Sequence, residues 1–191
     1  MDQVSREMAS RDPFVEEFGT QGEILPPLPD AAGGNAFRVK AGNGKVYYAY
    51  EFPHPSVAAT VVLFDKAKSA FLLVKRSTHP FFGYYAFPGG FLEVGKEEIE
   101  DAAVRELSEE AGVNLHRDLL ELVDVRSHPQ RDPRDHIFDI AFFAKAENID
   151  AYAGDEVSDY VWATLEEVDT MQLAFDHAEL WANVKDRYFK M

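Results

Sequence analysis

Along the chain, short apolar runs alternate with glycine- and proline-marked breaks, and only two segments carry a helical period. Phe37–Lys40 and Val46–Glu51 flank Ala41-Gly-Asn-Gly-Lys45, where the Asn-Gly pair signals a β-hairpin; Val46, Tyr48 and Tyr50 alternate as a half-buried strand would. Val57–Phe64 and Ala70–Lys75 predict two strands joined by a polar turn, and Leu119–Arg126 and Ile137–Ala144 two more around a polar loop. Tyr160–Ala163 predicts a short last strand. Between them, Arg76 to Gly90 reads as an aromatic, glycine-rich loop. The spacing predicts one helix over Glu97–Ala111, stopped by Gly112, and a second from Asp176. In the second, Asp176 and Glu179 match a capping box, and Phe175, Ala178, Trp181, Val184 and Tyr188 form an apolar face. Residues 1–35, broken by Pro26, Pro27, Pro29, Gly33 and Gly34, read as an irregular extension with a short helix near Phe14–Phe18. The expected organisation is therefore an extension (1–35), a β-hairpin (36–56) and one α/β domain (57–191) in which helices cover a sheet.

Composition narrows the class. A chain of 191 residues, 46% hydrophobic and 13% aromatic, can bury a core of its own. The absence of cysteine excludes disulfides, zinc–thiolate sites and thiol nucleophiles. Charges crowd the first eight residues, where a signal peptide would be apolar, and the longest apolar run, Val57–Phe64, falls far short of a bilayer span. A cytoplasmic protein that is not in a membrane is expected. The net charge of −15 also argues against a nucleic-acid groove, which needs clustered Lys and Arg.

That charge is uneven. Residues 97–110 hold seven acids and one base, and residues 147–184 hold ten acids and no base, so the rest of the chain is close to neutral. On a helix, Glu106, Glu109 and Glu110 share a fan of about 100°, with Ala103, Val104, Leu107 and Ala111 in the adjacent sector facing the core. Three carboxylates this close repel one another. A hard cation such as Mg2+ or Mn2+ reverses the sign and takes oxygen ligands of this kind. Just upstream, Phe87-Pro-Gly-Gly90 is a loop whose backbone can approach the same point.

These residues resemble the Nudix box, G-x5-E-x7-R-E-U-x-E-E-x-G-U. Glu97, Arg105, Glu106, Leu107, Glu109, Glu110, Gly112 and Val113 match, while six residues rather than five separate Gly90 from Glu97. Arg76 to Gly90 is similar to the R-x-x-x-P-F-x-G-x-W-A-L-P-G-G approach of ADP-ribose-type members, with Tyr85 and Phe87 at the Trp and Leu positions. Arg131-Asp-Pro-Arg134, Leu173-Ala-Phe-Asp-His177 and Pro129 also have counterparts in that subgroup. The resemblance implies a Nudix fold, an α/β/α sandwich with a mixed sheet. It implies Mg2+ or Mn2+ held by Glu106, Glu109, Glu110 and the Gly89 carbonyl, with Arg105 orienting a carboxylate. Arg76, Tyr85, Arg131 and Arg134 would meet the substrate. Water would attack one phosphorus of a nucleoside diphosphate, ADP-ribose giving AMP and ribose 5-phosphate. The base stays open between Glu109 and an acid in the 147–159 loop, Asp155 or Glu156. A homodimer built with the hairpin is also implied.

Alternatives keep separate predictions. A different nucleotide (dinucleotide, nucleoside triphosphate or capped RNA) would preserve the metal site and change the product. A non-catalytic ADP-ribose sensor would bind without hydrolysis; such regulators carry a DNA-binding extension, and with three residues after Tyr188 catalysis is the expectation. An acidic interaction protein would gain nothing from Mg2+. His79, His128, His136 and His177 show no metal-ligand spacing and read as ordinary polar or capping residues. Arg126, Arg131 and Arg134 cluster in an otherwise acidic chain and read as anion contacts. Phe81, Phe82, Tyr84 and Tyr85 read as core more readily than as a stacking platform.

Overall fold

An almost unbroken apolar run such as Val57–Phe64 buries side chains on both faces of its strand, so both faces of the sheet need a cover, and the computed structural model shows two. It describes residues 23–25, 36–40, 46–50, 54–154 and 157–190. The chain divides into two compact units, Met1–His54 and Pro55–Met191. In the first, β1 (Glu23–Leu25), β2 (Ala36–Lys40) and β3 (Val46–Tyr50) form an antiparallel sheet. The pairing of Lys40 with Val46 sets the register of the expected hairpin. β1 was hidden in a stretch with no sustained period, and the helix expected near Phe14–Phe18 lies outside the described residues.

The second unit holds β4 (Ser56–Asp65), β5 (Ala70–Arg76), β6 (Tyr85–Ala86), β7 (Gly89–Phe91), β8 (Glu121–Arg126), β9 (Ile137–Ala146) and β10 (Val157–Ala163). Three helices join them: α1 (Ile99–Ala111), the single turn α2 (Leu165–Val168) and α3 (His177–Tyr188). The sheet runs β10-β5-β4-β9-β8 and is mixed, because β4 and β9 pair in parallel while the other neighbours are antiparallel. Ala59, Val61 and Leu63 of β4 pack with Ala102, Ala103, Leu107 and Ala111 of α1. Val62, on the other face, joins Phe71, Phe143, Leu180, Trp181 and Val184 under α3. The result is the expected α/β/α sandwich.

One departure from uniform pairing creates the site. β4 and β5 pair only at Phe64–Phe71 and Asp65–Ala70, beside their connecting turn. Asp65 holds that turn: it accepts from the amides of Ala67, Lys68, Asn148 and Ile149 and from Lys68 Nζ. Burial pushes its carboxyl up, yet these donors hold it well below the usual carboxylate range. Beyond the turn the strands part, and Tyr85–Phe91 fills the gap, β6 on β5 and β7 on β4. The segment expected as a loop is thus two short strands, paired where the main ladder leaves partners over.

The caps also differ from expectation. Asp176 does precede α3, but its carboxylate makes no cap bond because Arg126 and Arg131 hold it, and Glu179 is likewise bound by Arg126. The capping box forms instead at the start of α2, between Thr164 and Glu167. The buried side of α3 is His177, Leu180, Trp181 and Val184, while Ala178 is exposed. A 3-10 turn at Arg117–Leu119, supported by the His116 ring, delays the start of β8 to Glu121.

Candidate functional site

The acidic helix is fixed at its far end first. Gly112 adopts φ +67°, and its amide bonds back to the Leu107 and Ser108 carbonyls. The Tyr152 ring lies where a Gly112 side chain would be. Tyr152 and Gly154 then donate their amides to the Ala111 and Glu110 carbonyls, at 3.0 and 2.9 Å, satisfying acceptors that a helix end otherwise leaves open.

Along the helix, Arg105 spends its whole guanidinium. It donates to both Glu97 oxygens at 3.0 and 2.8 Å, to Glu106 at 2.7 Å, to Glu109 at 2.9 Å and to the Phe91 carbonyl at 2.9 Å. These five bonds match the five N–H groups of the side chain. The Arg105 fork holds the Glu97 carboxyl below its ordinary value, and Glu97 in turn raises that of Arg105. The extra residue before Glu97 is absorbed in a turn, Lys96 N to Glu93 O, with Gly95 at φ +78° and Val94 exposed. The Glu97–Arg105 pair therefore forms despite the changed spacing.

Glu106 and Glu110, one turn apart, meet β7. Gly89 donates its amide to Glu110 Oε2 at 3.0 Å. A side chain at Gly90 would fall on the Glu106 carboxylate, so glycine is what lets the two approach. Both glutamates line a cavity of about 300 Å³, within the size range of small-ligand sites. Glu109 does not; its side chain is 58% exposed and turned to Arg105. Among the described residues no three acidic or histidine side chains already converge as a metal cage. The donors nevertheless suit a hard cation: two carboxylates on one helix face lie against a backbone loop, which makes an oxygen donor set. Asp155 and Glu156 lie outside the described residues. Their neighbours are placed: Gly154 rests on the backbone of Glu109, and Val157 lines the cavity.

The same cavity carries positive charge. Arg76, Arg131 and Arg134 line it, together with Asp132, Asp139, Thr60, Phe175 and His177. The three arginines are not equivalent. Arg131 is almost wholly buried, bonded to Asp176 at 2.7 Å and to Asp139 at 3.3 Å. Arg134 is half-exposed and makes a fork to Asp132 through Nε and Nη2, leaving Nη1 outside that pair. Arg76 donates Nε to the Pro80 carbonyl at 2.9 Å. Among the described residues no carboxylate is within 4.0 Å of it. Burial, then repulsion from Arg134, lowers its pKa. Arg126, expected as an anion contact, is instead bound by Asp124, Asp176 and Glu179 and does not line the cavity. Tyr85 is also absent from the lining; it packs on the α3 side and bridges to Leu173. Phe81, Phe82 and Tyr84 are likewise absent from it.

Two buried polar groups of the cavity, Thr60 and Asp139, escaped the motif reading, and a third, His177, lay in a matched segment without a role in the cavity assigned to it. Thr60 Oγ1 donates to Asp139 at 2.9 Å across the parallel pair β4–β9. Burial pushes the Asp139 carboxyl up to about 6, against the pull of Arg131. His177, read as a polar or capping residue, is buried and accepts the Phe87 amide on Nδ1 at 3.2 Å. Burial depresses it to about 4, which keeps the ring neutral and able to accept. The available signal was a single polar residue inside an apolar strand or helix face, at Thr60, Asp139 and His177.

Comparison with known proteins follows the same boundaries. A family model described as the NUDIX domain matches residues 54–184. An ADP-ribose pyrophosphatase of Methanocaldococcus jannaschii is 38% identical over 127 residues, 66% of this chain and 71% of its own. The ADPR responsive transcriptional repressor NtrR of Acinetobacter baylyi is 32% identical over 139 residues, 70% of this chain but only 54% of its own. Among solved structures, the NUDIX domain of Shewanella oneidensis NrtR complexed with ADP ribose aligns at TM-score 0.65 and 31% identity, over 71% of this chain and 90% of that one.

Proposed function

The chain belongs to the NUDIX family, and on that premise we propose that it hydrolyses a nucleoside diphosphate linked to a second group, ADP-ribose above all, in a divalent-metal-dependent reaction. The observation that carries this reading is the charge layout of one cavity. Glu106 and Glu110 are held against Gly89–Gly90, and Arg76 and Arg134 line the same space. A bare acidic cluster would repel a diphosphate; acids plus two arginines in one small cavity suit a cation and an anion together. The M. jannaschii relative supports ADP-ribose as the substrate.

Glu106, Glu110 and the Gly89 carbonyl would hold the cation, with Glu109 joining by leaving Arg105. A divalent cation there supplies Lewis acidity and neutralises charge on the diphosphate oxygens. The chain's own groups do the rest. Arg76 and Arg134 bind the diphosphate, while Arg105, fixed by Glu97, sets the position of Glu106 and Glu109. Arg131, Tyr85 and the Asp139–Thr60 pair support the cavity wall. Glu156 takes the proton of the attacking water, with Asp155 and Glu109 as the competing bases. The bond from phosphorus to its bridging oxygen breaks as the bond to water oxygen forms, giving AMP and ribose 5-phosphate from ADP-ribose. Positioning and electrostatics carry most of such a reaction, because the leaving phosphate is already stable.

Incubation of the full chain with ADP-ribose and Mg2+ or Mn2+ should release AMP, and EDTA should stop it. Absence of a nucleoside monophosphate from ADP-ribose and from a panel of related diphosphates would falsify the enzyme reading. The similarity to the repressor favours a second reading, an ADP-ribose sensor. That reading predicts saturable ADP-ribose binding and no product. We also propose a homodimer in the cytoplasm, for which light scattering should give twice the 21.5 kDa of one chain.

A further inference from the structure

Phe175 adopts φ +52°, a left-handed conformation that is an outlier for a bulky residue. Such a backbone persists only where its surroundings over-determine it. They do so here. The Ala174 amide donates to the Tyr85 carbonyl at 2.8 Å, the His177 amide donates to the Ala174 carbonyl at 3.1 Å, and His177 Nδ1 accepts from Phe87. Phe175 is thus pinned between two residues docked on the β6–β7 segment, Ala174 on Tyr85 and His177 on Phe87.

What the strain achieves is visible in the cavity. The Phe175 ring lies edge-on to Phe81, with centroids 4.8 Å apart. The Arg76 guanidinium carbon is 4.9 Å from its centre and that of Arg134 is 5.3 Å from it. Phe91 flanks Arg134 from a second ring, 5.0 Å away. Two cations that repel each other share one π system, and each gains from the negative face of a ring. Among the described residues Arg76 has no carboxylate partner, and this ring and the Pro80 carbonyl hold it.

We propose that Phe175 is a positioning residue: its ring holds Arg76 and Arg134 side by side as a paired cation site for two adjacent phosphoryl groups, and so selects diphosphates over single phosphates. A lone phosphate must divide its oxygens between the two guanidiniums, whereas a diphosphate can give each guanidinium a phosphoryl group of its own. This deepens the function proposed above, on which it rests for the class of substrate, while its test needs no turnover.

The probe is inorganic pyrophosphate, titrated calorimetrically into the full chain in EDTA, with inorganic phosphate as the comparator. The native chain should bind pyrophosphate more tightly than phosphate. Phe175→Leu, which keeps apolar bulk without the ring, should weaken pyrophosphate binding roughly tenfold and phosphate binding less than threefold. Phe175→Tyr, which restores the ring, should stay within about twofold of the native chain. Phe175→Met gives the same contrast if the leucine variant fails to fold, and thermal melts check each protein. A native chain with no preference for pyrophosphate, a ring-free variant that keeps it, or a tyrosine variant as weak as leucine overturns the proposal. If these contrasts appear but ADP-ribose is not hydrolysed, the substrate reading fails and the role of Phe175 stands. If ADP-ribose is hydrolysed but the contrasts are missing, the substrate reading stands and the role of Phe175 falls.

Discussion

At Glu110 a single carboxylate oxygen ties the acidic helix to the glycine loop. Its Oε2 accepts the Gly89 amide, so a carboxamide of the same size can keep the helix–loop contact while removing the charge a cation needs. Glu110→Gln should therefore fold normally and lose at least about a hundredfold in kcat, the scale typical of removing one electrostatic group from an active site. Near-native turnover would sink the ligand assignment. Gly90→Ala tests the same contact from the other side. Its methyl would meet the Glu106 carboxylate, so turnover should fall while the melting temperature changes little. His177 gives a pH signature. Its pKa falls from 6.5 to about 4 on folding, so its contribution is complete above about pH 6.5 and disappears as pH drops through about 4. The stability advantage of the native chain over His177→Gln should shrink by about 2 kcal/mol between pH 7 and pH 4.5 in denaturant titrations. A constant gap would contradict the buried, neutral assignment. Asp139, raised by burial, works oppositely and is common to both proteins, so it cancels in the difference.

At the scale of elements, the chain of supports runs from the sheet to the acids. The parting of β4 and β5 admits Tyr85–Phe91, that segment presents Gly89 and Gly90, and α1 brings Glu106 and Glu110 to them. The far end of α1 is tied by Gly112 and by the Tyr152 and Gly154 amides. Gly112→Ala places a methyl at positive φ and into the Tyr152 ring, so it should cost about 1–3 kcal/mol of stability and lower activity through displacement of α1. Unchanged unfolding midpoints would show that the contact is easily rearranged. The long strands, α1 and its stop at Gly112 were legible in the sequence because period and capping chemistry act locally. β6 and β7 were not, because two- and three-residue strands have no period and exist only through the gap they fill. The capping box at Asp176 failed for a related reason. Its carboxylate was claimed by Arg126 and Arg131, which lie 50 and 45 residues away in sequence.

For the whole molecule, the −15 net charge divides by role. Glu106 and Glu110 of α1 stand at a cavity also lined by arginines, whereas Glu166, Glu167 and Glu179 lie on the exposed surface of the protein. The box of acids was readable because its residues sit on one helix. The ranking of the arginines was not, since proximity in sequence made Arg126, Arg131 and Arg134 look alike. Only the folded chain spends Arg126 and Arg131 on internal carboxylates and keeps Arg76 and Arg134 against the Phe175 ring. Among the described residues no helix is long and apolar enough to cross a membrane. The most direct test of the central claim is product analysis of ADP-ribose incubated with the full chain and Mg2+ or Mn2+. Equal amounts of AMP and ribose 5-phosphate are predicted, abolished by EDTA and by Glu110→Gln. ADP-ribose recovered intact with either metal, or cleaved equally well in EDTA, would contradict it.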